Sequence, residues 1–407
     1  MLCQFTVKNF RCFRDEATLD MQATSITENE NTLITDIDGE KYLPLAVIYG
    51  PNGAGKSTVL SALYSLLIKI MRPVCALTCD NFECSDKSFC SNQSINIPIE
   101  PFAFDKVSKN LPTEYELFFR TDLKEYQYQI SIKKSKIVNE ALYHKKKLSS
   151  RYTNVFVREG KNIELRGSLK NYDTSALSDN LPLLSYLIIT HSRNATIKDI
   201  FKWLESKIDF RNYGVPRTEA EVALDDNAKP LVLNMLKEMD IDIDDYRIVS
   251  GDNEDDGSIE VYTSHIVDGN RTELSLLEES NGTIKIFGLL PYLARSILNG
   301  TTLLIDELDA KLHPFLLEYI ISLYNNPSIN KNGAQLIFTS HDLTTMNSDC
   351  FRRDEVWYVA KNNQGAAKLY SLVEFARKDA KYDKQYIEGK YGACPYLKRI
   401  INWEVAG

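Results

Sequence analysis

The sequence predicts an α/β protein: a mainly parallel sheet built around a glycine-rich loop, an antiparallel β-subdomain, and an inserted, mainly helical lobe. Three observations carry this. The apolar run 43–49 leads into Gly50-Pro51-Asn52-Gly53-Ala54-Gly55-Lys56-Ser57-Thr58, which opens a helical pattern over 59–70. Near the other end, Thr301-Thr302-Leu303-Leu304-Ile305 and Gln335-Leu336-Ile337-Phe338-Thr339 are short unalternated apolar runs, separated by a helical pattern over 314–324. Strands buried on both faces and joined through helices mark a parallel sheet. Between these ends, 102–157 changes to short alternating strands spaced by polar turns, the pattern of an antiparallel meander.

Taken in order, residues 2–7 alternate as a strand, and Asn9-Phe10-Arg11-Cys12-Phe13 follows as a turn with two rings, which either stack on a base or pack in the core. Residues 24–40 are polar and carry the turn signal Asp38-Gly39. After the glycine-rich loop and its helix comes an irregular excursion over 72–98. It holds Cys75, Cys79, Cys84 and Cys90 at widening spacings and no CxxC pair, so a polar cysteine-rich loop is the reading and zinc the alternative. Lys145-Lys146-Lys147, just past the meander, reads as a solvated loop, with a phosphate-contacting patch as its alternative. Apolar stripes make 182–210 helical (Leu183, Leu184, Leu187 and Ile188, then Ile197, Ile200, Phe201 and Leu204), and 229–239 is another helix. The acidic stretch 240–256 contains a short strand at 246–249, residues 257–277 alternate again, and a long helix spans 281–298. A further strand is expected at 356–359. The resulting division is a first part over 1–189, a helical lobe over 190–299, and a second part over 300–407. No tandem repeat and no heptad run long enough for a coiled-coil arm is visible.

With 407 residues the chain can bury a sizeable core, and its 43% hydrophobic and 26% charged residues are ordinary for a soluble protein. The formal charge of −8 does not favour nucleic acid, though it excludes no basic face. No apolar run is expected to approach the length of a membrane span, and the N-terminus lacks a signal-peptide pattern, so a cytoplasmic protein with reduced cysteines is expected.

The strand–loop–helix context makes residues 50–58 a phosphate-binding loop. Its glycines, Gly53 and Gly55 among them, let the N–H groups around Asn52 and Thr58 curl about a polyphosphate, and the helix N-terminus adds its dipole. Lys56 is expected on the β/γ-phosphates and the Ser57 hydroxyl on Mg²⁺. A second apolar strand delivers Asp306 beside that metal, and Glu307 follows it to polarise the attacking water. His341, in Thr339-Ser340-His341-Asp342, ends the next apolar strand, where a ligand of an open α/β sheet sits and a γ-phosphate can be hydrogen-bonded. His144, His191, His265 and His313 are scattered.

The order of these motifs resembles ATP-binding-cassette (ABC) type, AAA-family ATPases of the SMC/RecF/OLD branch, and within it the RloA-like and AbiLi-like ATPases of phage-defence loci. The resemblance also rests on Phe5 to Phe13, on Glu279-Ser280-Asn281-Gly282-Thr283, on Asp306-Glu307-Leu308-Asp309 running into Leu312-His313-Pro314, and on Tyr386-Ile387-Glu388-Gly389-Lys390-Tyr391-Gly392-Ala393. It implies an ABC-ATPase head that binds ATP and Mg²⁺ and hydrolyses ATP slowly. Gly50 to Thr58 would be the Walker A loop, Asp306 and Glu307 the Walker B pair, Asp309 part of the D-loop, and His341 the switch histidine. Ser280, Asn281 and Gly282 would stand for the signature motif, with Asn281 where such motifs usually carry glycine, and would cap the γ-phosphate held by a second copy. A Q-loop glutamine is not assigned among Gln93, Gln127 and Gln129. The implied partners are a second copy, as a homodimer or higher homo-oligomer, and a separately encoded, nuclease-type effector.

Two other functions compete with this regulatory ATPase. A RecF-like repair ATPase would act directly on DNA, which the net charge disfavours. A self-contained nuclease of the OLD kind needs a further carboxylate-bearing domain, and the stretch after His341 reads only as a strand, a helix and the Tyr391-Gly392 turn.

Overall fold

Alternating burial forms β1 (Leu2–Lys8), which pairs antiparallel with β2 (Ala17–Asp20). The structure, a computed structural model, describes residues 1–78, 99–211, 228–250, 259–375, 377 and 380–394. A small hairpin, β3 (Ile34–Thr35) and β4 (Lys41–Tyr42), precedes the wholly buried β5 (Leu45–Tyr49) and the helix α1 (Lys56–Thr78). The predicted meander is β6 (Thr113–Arg120), β7 (Lys124–Lys133), β8 (Lys136–Lys146), β9 (Thr153–Glu159) and β10 (Asn162–Leu165). It joins the N-terminal strands in one seven-stranded antiparallel sheet of order β10-β9-β8-β7-β6-β1-β2.

Next come α2 (Leu183–His191), α3 (Ala195–Ser206) and β11 (Ile208–Arg211). Glu140 of β8 is buried against the start of α2 and accepts the Leu183 and Leu184 N–H groups at 2.6 and 2.9 Å, a carboxylate set at the positive end of a helix. The side chain of Asn194 caps α3 by accepting from Thr196 N at 3.0 Å. The inserted lobe contains α4 (Lys229–Glu238), a three-stranded antiparallel sheet of β12 (Asp245–Ser250), β13 (Ile259–Val267) and β14 (Asn270–Ser275), and α5 (Asn281–Asn299). The chain then forms β15 (Thr302–Ile305), α6 (Pro314–Asn325), β16 (Gln335–Thr339), β17 (Val356–Lys361), β18 (Ala367–Ser371) and α7 (Tyr382–Ile387). The second large sheet has the order β11-β15-β16-β5-β17-β18 and is parallel except for β18.

Four layers follow from which faces are apolar. Ala46, Ile48, Leu304, Ile337 and Val359 face α1 to α3 and the inner side of the antiparallel sheet. Their strand neighbours Leu45, Val47, Leu303, Ile305, Leu336 and Phe338 face α4 to α6. Because α1 lies between the two sheets it is apolar almost all round, with Leu60, Leu63, Leu66, Leu67 and Ile70 buried, each worth roughly 1.5–3 kcal/mol relative to exposure. This corrects the expectation that no segment approaches membrane-spanning length: Lys56–Leu77 is long and apolar enough by composition, and 72% of its most apolar window is buried inside the protein.

Tertiary contacts bear on three further expectations. The division at residue 190 separates elements that pack together, since Ile197, Ile200, Trp203 and Leu204 of α3 join the core around α1, and β11 pairs in parallel with β15. The lobe after that strand carries the helices α4 and α5, and its three-stranded sheet takes up the strand expected at 246–249 and the alternation expected over 257–277. Lys145 and Lys147 are no solvated loop: Lys145, near the end of β8, pairs with Glu125 at 3.0 Å, and Lys147, just past that strand, pairs with Asp36 at 2.8 Å. Of the clustered cysteines, Cys75 is buried in the core of α1, whereas Cys79, Cys84 and Cys90 lie outside the described residues, as does Gln93.

A buried acid just before β17 makes stability depend on pH. Burial pushes the Glu355 carboxyl up to about 8, against a hydrogen bond from Arg352 N at 2.8 Å. A carboxyl with a raised folded pKa binds more protons in the native state, so its stabilisation is complete below the unfolded value of about 4.5 and is lost as pH rises toward 8. Glu355→Gln should therefore match the unmutated protein in thermal melting at pH 5. At pH 8 it should exceed it by a margin on the order of 3 kcal/mol. Equal melting temperatures at both pH values would refute the assignment.

Candidate functional site

Parallel register brings the candidate residues to one edge. Ile305 pairs with Phe338, and Thr339 with Ile48, so the ends of β15, β16 and β5 deliver Asp306, Ser340 and Gly50 side by side. The glycine-rich loop leaves β5 with Gly50 at φ 152°, where a Cβ would lie 2.3 Å from the Val359 carbonyl oxygen of β17. Gly55, at φ 121°, would place a Cβ 2.5 Å from Cys12 Sγ. Only glycine allows both close approaches. Asn52 and Gly53 lie exposed at the tip, Thr58 N donates to Gly55 O at 3.0 Å, and Ser57 sits exposed in the first turn of α1.

Lys56 is buried and donates to the Gly50 and Pro51 carbonyls at 2.9 and 3.4 Å. Burial lowers its pKa, while Asp306, Glu307 and Asp309 act in the opposite sense, which puts all three carboxylates in its electrostatic neighbourhood. Thr339 organises the acidic pair: its Oγ1 donates to Asp306 Oδ1 at 2.6 Å and accepts from Glu307 N at 2.7 Å. Glu307 takes a left-handed φ of 50°, costly for a side-chain-bearing residue and held here by that hydroxyl. Asp309 accepts the His341 N–H at 3.0 Å through Oδ2, and among the described residues its buried Oδ1 meets no hydrogen-bond partner. Asp342 caps its own turn by accepting from Thr344 and Thr345.

Ser280 sits at the N-cap of α5, where its Oγ accepts from Thr283 N at 3.1 Å, with Asn281 and Gly282 opening the helix. A link to the acidic loop comes one turn later. Lys285 Nζ donates to the Leu308 carbonyl at 3.3 Å and to that of Ala310. Its pKa is pushed down to about 8, first by burial, with Lys311 adding to the shift and Asp309 and Glu307 opposing it.

Sequence reasoning missed Thr339, Cys12 and Lys285. A hydroxyl ending an all-apolar strand was the available signal for Thr339; the other two depend on packing. The rings of Phe10 and Phe13 are fully buried and so stack on no base. Gln127 and Gln129 both donate to Glu116, at 2.7 and 2.6 Å, on the antiparallel sheet, where Gln129 lines a polar concavity of about 600 Å³ that shares no residue with this edge. The tail is bound by aromatic stacking: Tyr358 of β17 lies 5.6 Å from Tyr386 and 5.1 Å from Tyr391.

A protein-family model described as "AAA domain, putative AbiEii toxin, Type IV TA system" matches residues 45–347, from β5 through the acidic pair to beyond His341. The chain belongs to this family. The match makes it an ATPase of AAA type. Its fold is similar to a solved SMC head bound to the C-terminal winged-helix domain of ScpA, at TM-score 0.47 and 11% identity, covering 91% of this chain and 97% of that one. The SMC head domain from Thermotoga maritima is similar at TM-score 0.43 and 14% identity, over 91% and 98%. Curated proteins offer no match.

Proposed function

We propose that this AAA-domain protein is an ATP-switched regulatory subunit. Two copies close head to tail around Mg-ATP, hydrolyse it slowly, and control a separately encoded, nuclease-type effector in bacterial anti-phage defence, in the manner of RloA-like and AbiLi-like ATPases. The observation that carries the reading is the shared edge. Lys56, Asp306, Glu307 and the Asp309–His341 contact gather at the ends of three parallel strands, while the Ser280 turn lies exposed and hydrogen-bonds within its own helix start. The family description, which names a type IV toxin–antitoxin system, supports a two-component defence role.

The residues fit the nucleotide. Gly50 and Gly55 let the loop pack its backbone tightly against Val359 and Cys12, Lys56 offers a buried ammonium, and Asp309 Oδ1 is a buried acceptor that meets no donor among the described residues. When bound, Mg²⁺ would supply positive charge against the negative charge that develops during transfer. Ser57 and Asp306 would hold it. Lys56 would exchange its carbonyl partners for phosphate oxygens, and the N-terminal N–H groups of α1 would add a favourable dipole. Glu307 would accept a proton from the attacking water as its oxygen bonds to the γ-phosphorus and the bond to ADP breaks. His341 would hydrogen-bond the γ-phosphate. Ser280, with the N–H groups of Asn281 and Gly282, would close the site from the second copy, so that each chain completes its partner's site. Dependence on ATP suits a cytoplasmic protein.

Purified from its native locus in the presence of Mg-ATP, the protein should elute as a dimer or larger homo-oligomer together with a second protein. Ser280→Arg, which sets a bulky cation at the capping turn, should elute as a monomer with ATP turnover lowered roughly 100-fold. Unchanged turnover in that variant would sink the composite site. Recovery of the unmutated protein alone, with tight DNA binding in moderate salt, would instead favour the RecF-like role.

A further inference from the structure

The residue just before the Ser280 turn has an environment that the nucleotide site does not explain. Glu279 lies between the short helical turn of residues 276–278 and the N-cap of α5. Its side chain is largely buried, and Oε1 accepts from Thr263 Oγ1 at 2.6 Å and from His265 Nε2 at 2.7 Å. Both donors belong to β13, the central strand of the inserted lobe's three-stranded sheet. Thr263 is fully buried, so this grip is built into the sheet and is no chance surface pairing. The preceding turn is itself fixed by a reciprocal cap, in which Ser275 N donates to Glu278 Oε2 at 2.9 Å and Ser275 Oγ accepts from Leu277 N. Ser280 is thus the first residue beyond a segment locked to β13.

We infer that Glu279 is a positioning residue for nucleotide capping in trans: gripped by Thr263 and His265, it sets the direction in which the Ser280 turn faces the second copy. The inference rests on the head-to-tail reading above and adds a regulatory route to it. A hydroxyl and N–H groups that must meet a γ-phosphate have a tolerance near 1 Å, and displacement of that size can cost on the order of 100-fold in rate. A serine on a free helix end would have that freedom, whereas one following a carboxylate held by two donors does not. The three-stranded sheet is then the lever of the site. Anything that bends β13 relative to α5 changes how well one chain caps the nucleotide of the other, without touching Lys56, Asp306 or Glu307.

The test compares Glu279→Ala, Glu279→Gln and Thr263→Val with the unmutated protein and with Ser280→Arg. A fluorescent ATP analogue reports binding to the P-loop edge, light scattering reports the ATP-dependent dimer, and phosphate release reports turnover. Glu279→Ala should bind the analogue within about twofold of the unmutated protein, yet dimerise and turn over at least ~10-fold less well. Glu279→Gln keeps an acceptor oxygen for both donors and should recover most of the loss. Thr263→Val removes one grip without altering the turn and should fall between. Glu279→Ala that dimerises and hydrolyses like the unmutated protein, while Ser280→Arg does neither, would overturn the inference and leave the head-to-tail reading standing. If Ser280→Arg also dimerised normally, the reading itself would fail. A Glu279→Ala protein that loses analogue binding in parallel with turnover would show general damage, and that too overturns a positioning role.

Discussion

Glu307→Gln should reduce ATP turnover by roughly 100- to 10,000-fold, the range a positioned general base supplies, while leaving nucleotide affinity nearly intact. The amide is isosteric, so the left-handed backbone at φ 50° and the hydrogen bond from Glu307 N to Thr339 Oγ1 remain, and Asp306 keeps its own bond from that hydroxyl. What is lost is a carboxylate able to take a proton from water. ATP should then persist in the site, and if two copies close around it as proposed, ATP-bound dimers should outlast those of the unmutated protein in scattering and gel filtration. Turnover equal to that of the unmutated protein would remove Glu307 from the chemistry, whatever the family.

The second large effect concerns stability. Arg120→Ala should destabilise the protein by about 3–5 kcal/mol, because it leaves buried carboxylates without their cation. The Arg120 guanidinium is almost wholly buried and bonds Glu125 at 2.7 Å, Asp38 at 2.8 Å and Asp36 at 3.0 Å, with its plane over the Tyr42 ring. Burial opposes the charge on all three acids, yet hydrogen bonds from Arg120, from Lys147 to Asp36, and from Tyr152 and Lys145 to Glu125 outweigh it and hold their pKa values below the ordinary range. Depressed folded values mean that this stabilisation is present above the unfolded pKa of each acid and is lost as pH falls through the lower folded values. The gap between Arg120→Ala and the unmutated protein in denaturant melts should thus be widest near neutrality and close in acid below about pH 4. A gap that persists there would point to lost packing on Tyr42 in place of lost charge pairing.

Much of this architecture was legible because the signals are local. Every residue of the run 45–49 is buried in β5, and the run Gln335 to Thr339 forms β16 with the bounds read from its composition. A strand buried on both faces has no other composition available to it. The alternating meander was equally readable from its period of two, and the helix expected over 281–298 is α5, which begins at Asn281. The lysine run was misread because a charge run looks the same whether it meets solvent or, as here, Glu125 on the paired strand β7 and Asp36 in the turn between β3 and β4. Gln335 is a similar case. Its buried amide exchanges hydrogen bonds with Leu2 N and O and reaches Leu43 O and Thr302 Oγ1, joining the two large sheets, and no local pattern marks it for that task.

By itself, the sequence determined which residues can do chemistry: a loop whose glycines free its backbone, a lysine and serine at a helix start, and an acidic pair and a histidine each ending an apolar strand. Their types and spacing follow from strand and helix geometry, which acts over a few residues. Only the tertiary structure decided what orders them. Parallel register aligns three strand ends, Thr339 ties Asp306 to Glu307, Asp309 holds His341, and β13 grips Glu279 beside the Ser280 turn. Such contacts join residues far apart in the chain, and their energy depends on desolvation and on angles that exist only once the layers have packed.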